Sequence, residues 1–326
     1  MKEWRFWLAE QRGTATAFAI FALMFLVYNV NHPAGFSANV IQTMANKGVL
    51  LAFLAMAQAL VIITSGIDLS VGMVFMLTNC LASAIVVGSP VQVAVGVVAT
   101  LAAGAACGAI NGLIVIFGRL QPIVATIATG AVYYGLALAI RPTPGGGVDE
   151  TIADALTGRM LGVVPTSVVA LAAVVLVVWV PFRQSVTGRA AYAAGSSEAA
   201  AYMSGVPIHR AKFVAYTLAG LLAAMGGLFM TFFTYTGEAA YASGNAYTLF
   251  SIASVVLGGV SLFGGRGSAI GAIFGALAFR TIGDLLFVFD LDPLWQPLFQ
   301  GVVLLMAVSL GALGLLRVRN RLDWFG

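Results

Sequence analysis

Residues 91–117 read VQVAVGVVATLAAGAACGAINGLIVIF and hold no charged side chain. A helix of about 20 apolar residues crosses a hydrocarbon core about 30 Å thick, so this stretch is long enough for one span. In lipid every backbone N–H and C=O must find its partner inside the protein, and a long continuous apolar run does that as a helix. A barrel strand would be short and would alternate in polarity, which this run does not. The same pattern recurs along the chain. Apolar runs cover residues 14–30, 40–64, 69–88, 163–180, 213–235 and 294–316. Another ends near residue 140, and two more meet at the glycine-rich turn 264–267.

The expected fold is therefore an all-α polytopic membrane protein of about ten transmembrane helices, one domain over residues 1–326. Composition agrees: 60% of the 326 residues are hydrophobic and 9% are charged, against about 25% charged in a soluble domain. The 38 glycines point to close helix–helix approach, because small residues let backbones meet. The opening MKEWRFWLAEQR mixes basic, acidic and aromatic residues. A long apolar run without a small-residue cleavage site follows it, so it reads as an uncleaved first span.

Placing the N-terminus inside puts Lys2, Arg5, Arg12, Arg119, Arg183, Arg189, Arg210, Lys212, Arg266, Arg317, Arg319 and Arg321 on the cytoplasmic side. Only Arg141 and Arg159 then fall outside, and Lys47 and Arg280 lie within spans. That asymmetry predicts both termini in the cytoplasm, and the net charge of +4 is a positive-inside excess, not a nucleic-acid signature. Cys80 and Cys107 sit in apolar runs as packing residues. No phosphate-binding G-x-x-x-x-G-K-[ST] loop is present. With His32 and His209 as the only histidines, both in loops, neither a metal site nor a catalytic triad is expected. The chain reads as a non-enzyme without a cofactor of its own.

Two polar segments interrupt the spans. Residues 141–162 form an outside, periplasmic loop with PTPGGG, Asp149, Glu150 and Asp154. Residues 183–212 form the longest polar break, on the cytoplasmic side, with Arg183, Arg189, Arg210 and Lys212. Within it Ser197 can cap a short alanine-rich helix over 198–204, with Glu198 at its positive end. Gly205 and Pro207 stop it. A short stiff helix between spans is a part that another protein can push; an ordinary linker is the plainer reading.

Polar groups inside the membrane are candidates for function. Asp68 lies in SGIDLSVG at the joint of two runs, where Asp68 or Ser70 can cap the following helix and Gly66 and Gly72 allow a sharp turn and close packing. Arg280 and Asp284 are four apart on one helix face, a spacing at which they can pair. Gln58, Asn79, Asn111, Tyr133 and Tyr134 are neutral groups able to bond sugar hydroxyls or cover a sugar's apolar face, and equally able to hold helices together.

Several blocks together resemble the permease subunits of bacterial ABC importers for ribose, xylose, galactose and related sugars. The blocks are SGIDLSVG at 65–72, NGLIVIFGRLQPIVATIATG at 111–130, GSSEAAAYMSGV at 195–206, SIASVVLGGVSLFGGRGSAIGAIFGAL at 251–277 and FQGVVLLMAV at 299–308. The resemblance covers about residues 40–310. It implies a multi-pass protein of the bacterial inner membrane that pairs with a second permease, identical or sister. It also implies a cytoplasmic ATP-binding subunit that binds the ATP and a periplasmic sugar-binding protein. Gly195, Ser197, Glu198, Ala201, Ser204 and Gly205 would then form the coupling segment that meets the ATPase. The glycine turn with Gly264 and Arg266 would belong to the gating framework. Relatives of this kind commonly carry Gly and Asn where this chain has Ser196 and Ser197, and small or amide residues where it has Arg280 and Asp284. Other readings are a branched-chain-amino-acid permease, an ion-coupled secondary transporter using Asp68 or the Arg280–Asp284 pair, and a membrane scaffold that transports nothing.

Overall fold

The structure is a computed structural model that describes residues 3–306 and 309, with side chains from residue 12 onward except at 293. Lys2, the basic tail from Arg317 and the far part of the last expected span lie outside the described residues. The order is α1 (Glu3–Asn31), α2 (Ala38–Ile63), α3 (Val71–Ile85), α4 (Pro90–Phe117), α5 (Pro122–Ile140) and α6 (Glu150–Thr157). A hairpin of β1 (Arg159–Met160) and β2 (Val164–Pro165) leads to α7 (Thr166–Val174) and α8 (Val180–Gln184). Then come α9 (Val186–Ser196), α10 (Glu198–Met203), α11 (Ile208–Thr234), α12 (Tyr241–Leu257), α13 (Ala269–Val288) and α14 (Gln296–Met306).

The helices start where the side chains dictate. Ser89 and Gln92 close a reciprocal capping box, with Pro90 at the first helical position of α4. Pro122 opens α5 in the same way; a missing N–H costs nothing there, because the first helical donors have no partner. Ser37 caps α2 and Asp149 caps α6. Arg141 closes the far end of α3, donating from Nε to Ser83 Oγ at 2.9 Å and from Nη2 to Ser83 O at 2.7 Å. A guanidinium suits the negative end of a helix.

α2 is the centre of the bundle, with 94% of its most apolar window buried, as a helix apolar on every side should be. α3, α11, α12 and α13 surround it. Outside these, α1 covers α13, α4 covers α11 and α5 covers α3. The outer helices turn Val95, Val98, Ile127, Val132, Leu176 and Val177 outward, which suits hydrocarbon. α4 and α11 meet at glycine: a Cβ on Gly108 would stand 2.1 Å from Tyr216 O, and one on Gly220 2.2 Å from Gly104 O. The expected close approach is therefore realised as backbone on backbone.

Among the described residues, 7 helices are long and apolar enough to cross a membrane. α3, α12 and α14 are shorter. Two expected boundaries move. The run over 163–180 starts its helix at Thr166 and continues to Gln184 through a π turn, Val175–Trp179. Pro181 lacks an N–H and its ring crowds the preceding turn, and the wider π turn accommodates both effects. The 183–212 segment is mostly helix, not loop: the end of α8, all of α9 and α10, and the start of α11. α9 escaped the sequence reading because its buried side, Ala190, Ala191 and Ala194, is built from alanine and carries little apolar contrast.

Candidate functional site

The site is the knot where α9 and α10 meet two helix breaks. α9 begins at Ser185, whose Oγ accepts from Gly188 N at 2.9 Å. The Arg183 guanidinium lies 4.2 Å over the Tyr192 ring, a cation–π contact that fixes the two ends of this turn. α10 starts as expected: Ser197 Oγ accepts from Ala200 N at 3.4 Å, and Glu198 is the first helical residue. Lys212 Nζ donates to Glu198 Oε1 at 2.7 Å, tying α10 to the first turns of α11. Ser204 is the C-cap and Gly205 follows at φ +73°. Ala201 is buried with Ala194 and Ile208 beneath the helix. Tyr202 and Met203 point away, 73% and 82% exposed. Neither is among the residues expected to couple, although they are the only large apolar side chains in the block 195–206 apart from Val206.

The end of α9 is fastened to both breaks. Ser65, between α2 and α3, is held at φ +63°. Its Oγ lies 2.9 Å from Gly195 O and 2.7 Å from Phe263 O, and its single hydrogen serves one carbonyl at a time. Gly265 N, between α12 and α13, donates to Ile63 O at 3.0 Å. Tyr192 OH donates to Gly267 O at 2.6 Å. A Cβ on Gly195 would stand 1.9 Å from Ile63 O and 2.5 Å from Gly265 N. Gly264, Gly265 and Gly267 all have positive φ, which an L side chain resists. Arg266 belongs to this turn, its carbonyl accepting from Ser261 N at 3.2 Å. The segment expected to couple and both breaks thus form one hydrogen-bonded unit.

Three residues beyond Ser65 lies Asp68, 2% exposed. Its Oδ1 accepts from Ser70 N at 2.8 Å and Ser70 Oγ at 2.6 Å, and its Oδ2 from Asn111 Nδ2 at 3.4 Å. Asn111 Nδ2 also reaches Ser70 Oγ at 2.7 Å. Tyr133 OH lies 3.1 Å from Asn111 Oδ1 and 2.9 Å from Cys107 O. Gln58, oriented to satisfy its amide, pairs with Asp68 O at 2.9 Å and Asp68 N at 3.3 Å. Gln58 on the Asp68 backbone, Asn111 on its carboxylate and Tyr133 through Asn111 thus gather around one residue, and protein partners take up their bonding capacity. Asn79 lies apart, giving Nδ2 to Thr231 Oγ1 at 2.9 Å and accepting from Glu238 N at 2.9 Å. Tyr134 meets Tyr241 edge to face at 5.0 Å.

Two expectations need correction. Neither Asp68 nor Ser70 caps α3 by side chain. Ser70 occupies the N-cap position without a cap bond, because its hydroxyl is engaged by Asp68 and Asn111. The Gly72 N–H is met instead by Thr248 Oγ1 of α12 at 3.0 Å. Gly66 and Gly72 are close approaches as expected, where a Cβ would stand 2.8 Å from Tyr216 OH and 1.9 Å from Gly244 O, and the left-handed residue of the turn is Ser65. Asp284 pairs not with Arg280 but with Lys47 Nζ, at 3.3 Å. The α2–α13 contact brings the lysine to it, where Arg280 on the same helix does not reach.

On the opposite face, residues 141–162 hold α6 and most of a hairpin. Gly145 and Gly237 exchange both backbone hydrogen bonds, at 3.0 and 2.9 Å. Tyr235 OH donates to Asp154, and that bond, with burial adding to it, raises the phenol's pKa. Cys80 and Cys107 are free and buried. Among the described residues no group of His, Cys, Asp and Glu could hold a metal. The knot offers no nucleophile beside a base; what it can do is carry displacement.

A permease family described as the branched-chain amino acid transport system / permease component matches residues 40–308. The chain belongs to this family. The permease is 35% identical over 309 residues to the ribose import permease protein RbsC of Escherichia coli K12, covering 93% of each chain. It is 34% identical over 276 residues to RbsC of Bacillus subtilis 168, covering 83% of each. It is also 34% identical over 302 residues to the autoinducer 2 import system permease protein LsrC of Enterobacter sp. 638, covering 91% of this chain and 86% of that one. No solved structure gives a significant match.

Proposed function

We propose that the permease is the membrane subunit of an ATP-binding-cassette importer and carries a sugar or related polyol across the bacterial inner membrane. The observation that carries this reading is the fastening of the coupling segment to both helix breaks through Ser65, Gly195 and Gly265. A cytoplasmic ATP-binding subunit supplies the stroke, and the permease itself needs no cofactor. A periplasmic binding protein delivers the cargo, and a second permease, identical or sister, completes the path. Ten helical crossings with both termini cytoplasmic fit the charge asymmetry, with α3, α12 and α14 as the short crossings. The remaining surface faces lipid.

The mechanism follows from stiffness. Closure of the ATPase pair displaces α10 at Tyr202 and Met203. α10 is too short to bend, and the Glu198–Lys212 bond carries its motion into α11. α9 passes the same motion through backbone bonds to the α2–α3 and α12–α13 breaks. The first break holds Asp68, so the movement shifts α3 against α4 and α5, where Ser70, Asn111 and Tyr133 interlock. Sugar cargo is favoured over amino acids by the named relatives, which import ribose and autoinducer 2. An ion-coupled transporter would want a carboxylate free to exchange its ion or proton, whereas Asp68 is enclosed by donors and Asp284 is paired. The test is uptake of labelled sugar into vesicles holding the permease with and without its ATPase and binding protein. ATP-dependent accumulation is expected with all parts present. Accumulation on a salt or proton gradient without the ATPase would refute the reading.

A further inference from the structure

Arg280 sits about eleven residues into α13, roughly 16 Å along the helix and near the middle of the membrane. It is half-buried and, among the described residues, makes no hydrogen bond or salt bridge. Asp284, one turn on, is neutralised by Lys47. Glu238, ahead of α12, is not at ion-pair distance from the guanidinium. Tyr247 lies on α12, which packs against α2, α3 and α13, with its ring 4.8 Å from Phe75 of α3. Arg280 on α13 and Tyr247 on α12 therefore lie on helices that pack together, with the Lys47–Asp284 pair one turn along α13 from Arg280. Lys47 and Asp284 cancel, and Glu238 stands beyond ion-pair distance, so among the described residues the guanidinium has no paired carboxylate. An uncompensated cation at this depth is expensive and marks a wet path or a ligand site. A guanidinium presents a planar fork of donors that matches a carboxylate with two parallel bonds. A neutral sugar would leave that charge uncompensated.

We propose that Arg280 contacts the cargo during passage and selects a polyol that carries a carboxylate, a sugar acid, with Tyr247 covering its apolar face. This rests on the importer reading above and names the class of solute.

The test is binding of labelled D-ribonate and D-ribose, an acid and a neutral sugar of like size, to the full-length permease in lipid nanodiscs. Ribonate is expected to bind at least about tenfold tighter than ribose. Arg280→Gln is expected to abolish that preference, while Arg280→Lys keeps part of it and provides a folded comparison if the glutamine variant is unstable. Equal binding of the two sugars, no binding of ribonate up to about 100 mM, or a preference that survives Arg280→Gln would overturn the proposal. Failure of ATP-driven uptake in the reconstituted importer would instead sink the importer reading, since binding in nanodiscs needs no ATPase.

Discussion

Ser65 Oγ stands 2.9 Å from the carbonyl oxygen of Gly195, across 130 positions of sequence. One hydroxyl thus ties the joint of α2 and α3 to the end of the helix that precedes the coupling helix. Replacing it removes a bond worth about 0.5–1.5 kcal/mol. Ser65→Gly is the suitable variant, because glycine tolerates the positive φ that alanine would strain. Uptake per ATP hydrolysed is expected to fall about twofold to tenfold, with normal membrane insertion. Measured in vesicles, an unchanged ratio would remove this bond from the relay.

Gly195→Ala asks the opposite question. The added Cβ would press on Ile63 O and Gly265 N together, both of them backbone atoms that cannot rotate away. The end of α9 must lift from the breaks. ATPase binding at Tyr202 and Met203 is expected to persist while uptake drops by more than about tenfold. Co-purification of the ATPase and labelled-sugar uptake check the two halves separately.

Asp68→Ala leaves Ser70 N and Ser70 Oγ without their acceptor, while Asn111 Nδ2 keeps its bond to Ser70 Oγ. Each buried orphan costs about 1–3 kcal/mol. A clear loss of thermal stability is expected, with Asp68→Asn milder because it keeps one acceptor oxygen. Cys80 and Cys107 are buried thiols, so reaction with a thiol-reactive dye on heating reports the unfolding temperature directly. Equal temperatures for wild type and Asp68→Ala would deny the carboxylate its structural role.

Lys47 and Asp284 side chains are 32% and 10% exposed, between the regimes of an exposed pair at about 0–1 kcal/mol and a buried one at about 3–5 kcal/mol when one partner is removed. Lys47→Met and Asp284→Leu are each expected to destabilise by a value between those limits. The double variant is expected to recover part of the loss. A double-mutant cycle on unfolding temperature measures the coupling; strict additivity would contradict the pairing.

Local rules carried the sequence reading a long way. Ser197 as the cap of a helix starting at Glu198 needs only neighbouring residues, and that element is present as expected. The apolar runs placed most helices for the same reason. Contacts between distant segments were not readable. The four-residue rule could suggest Arg280 for Asp284, but nothing local announces Lys47, 237 positions away. Gln58, Asn111 and Tyr133 are legible in sequence only as separate polar groups, and only the packing of α2, α4 and α5 around Asp68 shows them as one network. Gly66 marks the turn in sequence, but that Ser65 takes the left-handed conformation, with its hydroxyl bonded to Gly195 O and Phe263 O, depends on segments far along the chain.

The most direct test of the relay is the ratio of sugar imported to ATP hydrolysed when residues 198–204 are replaced by a flexible Gly-Ser segment of equal length. The complete importer would be reconstituted in proteoliposomes with ATP on the cytoplasmic side. ATP hydrolysis that continues while uptake falls at least about tenfold is the predicted result. Uptake and hydrolysis that both match wild type would contradict the account, since a segment that cannot transmit displacement would then be doing no harm.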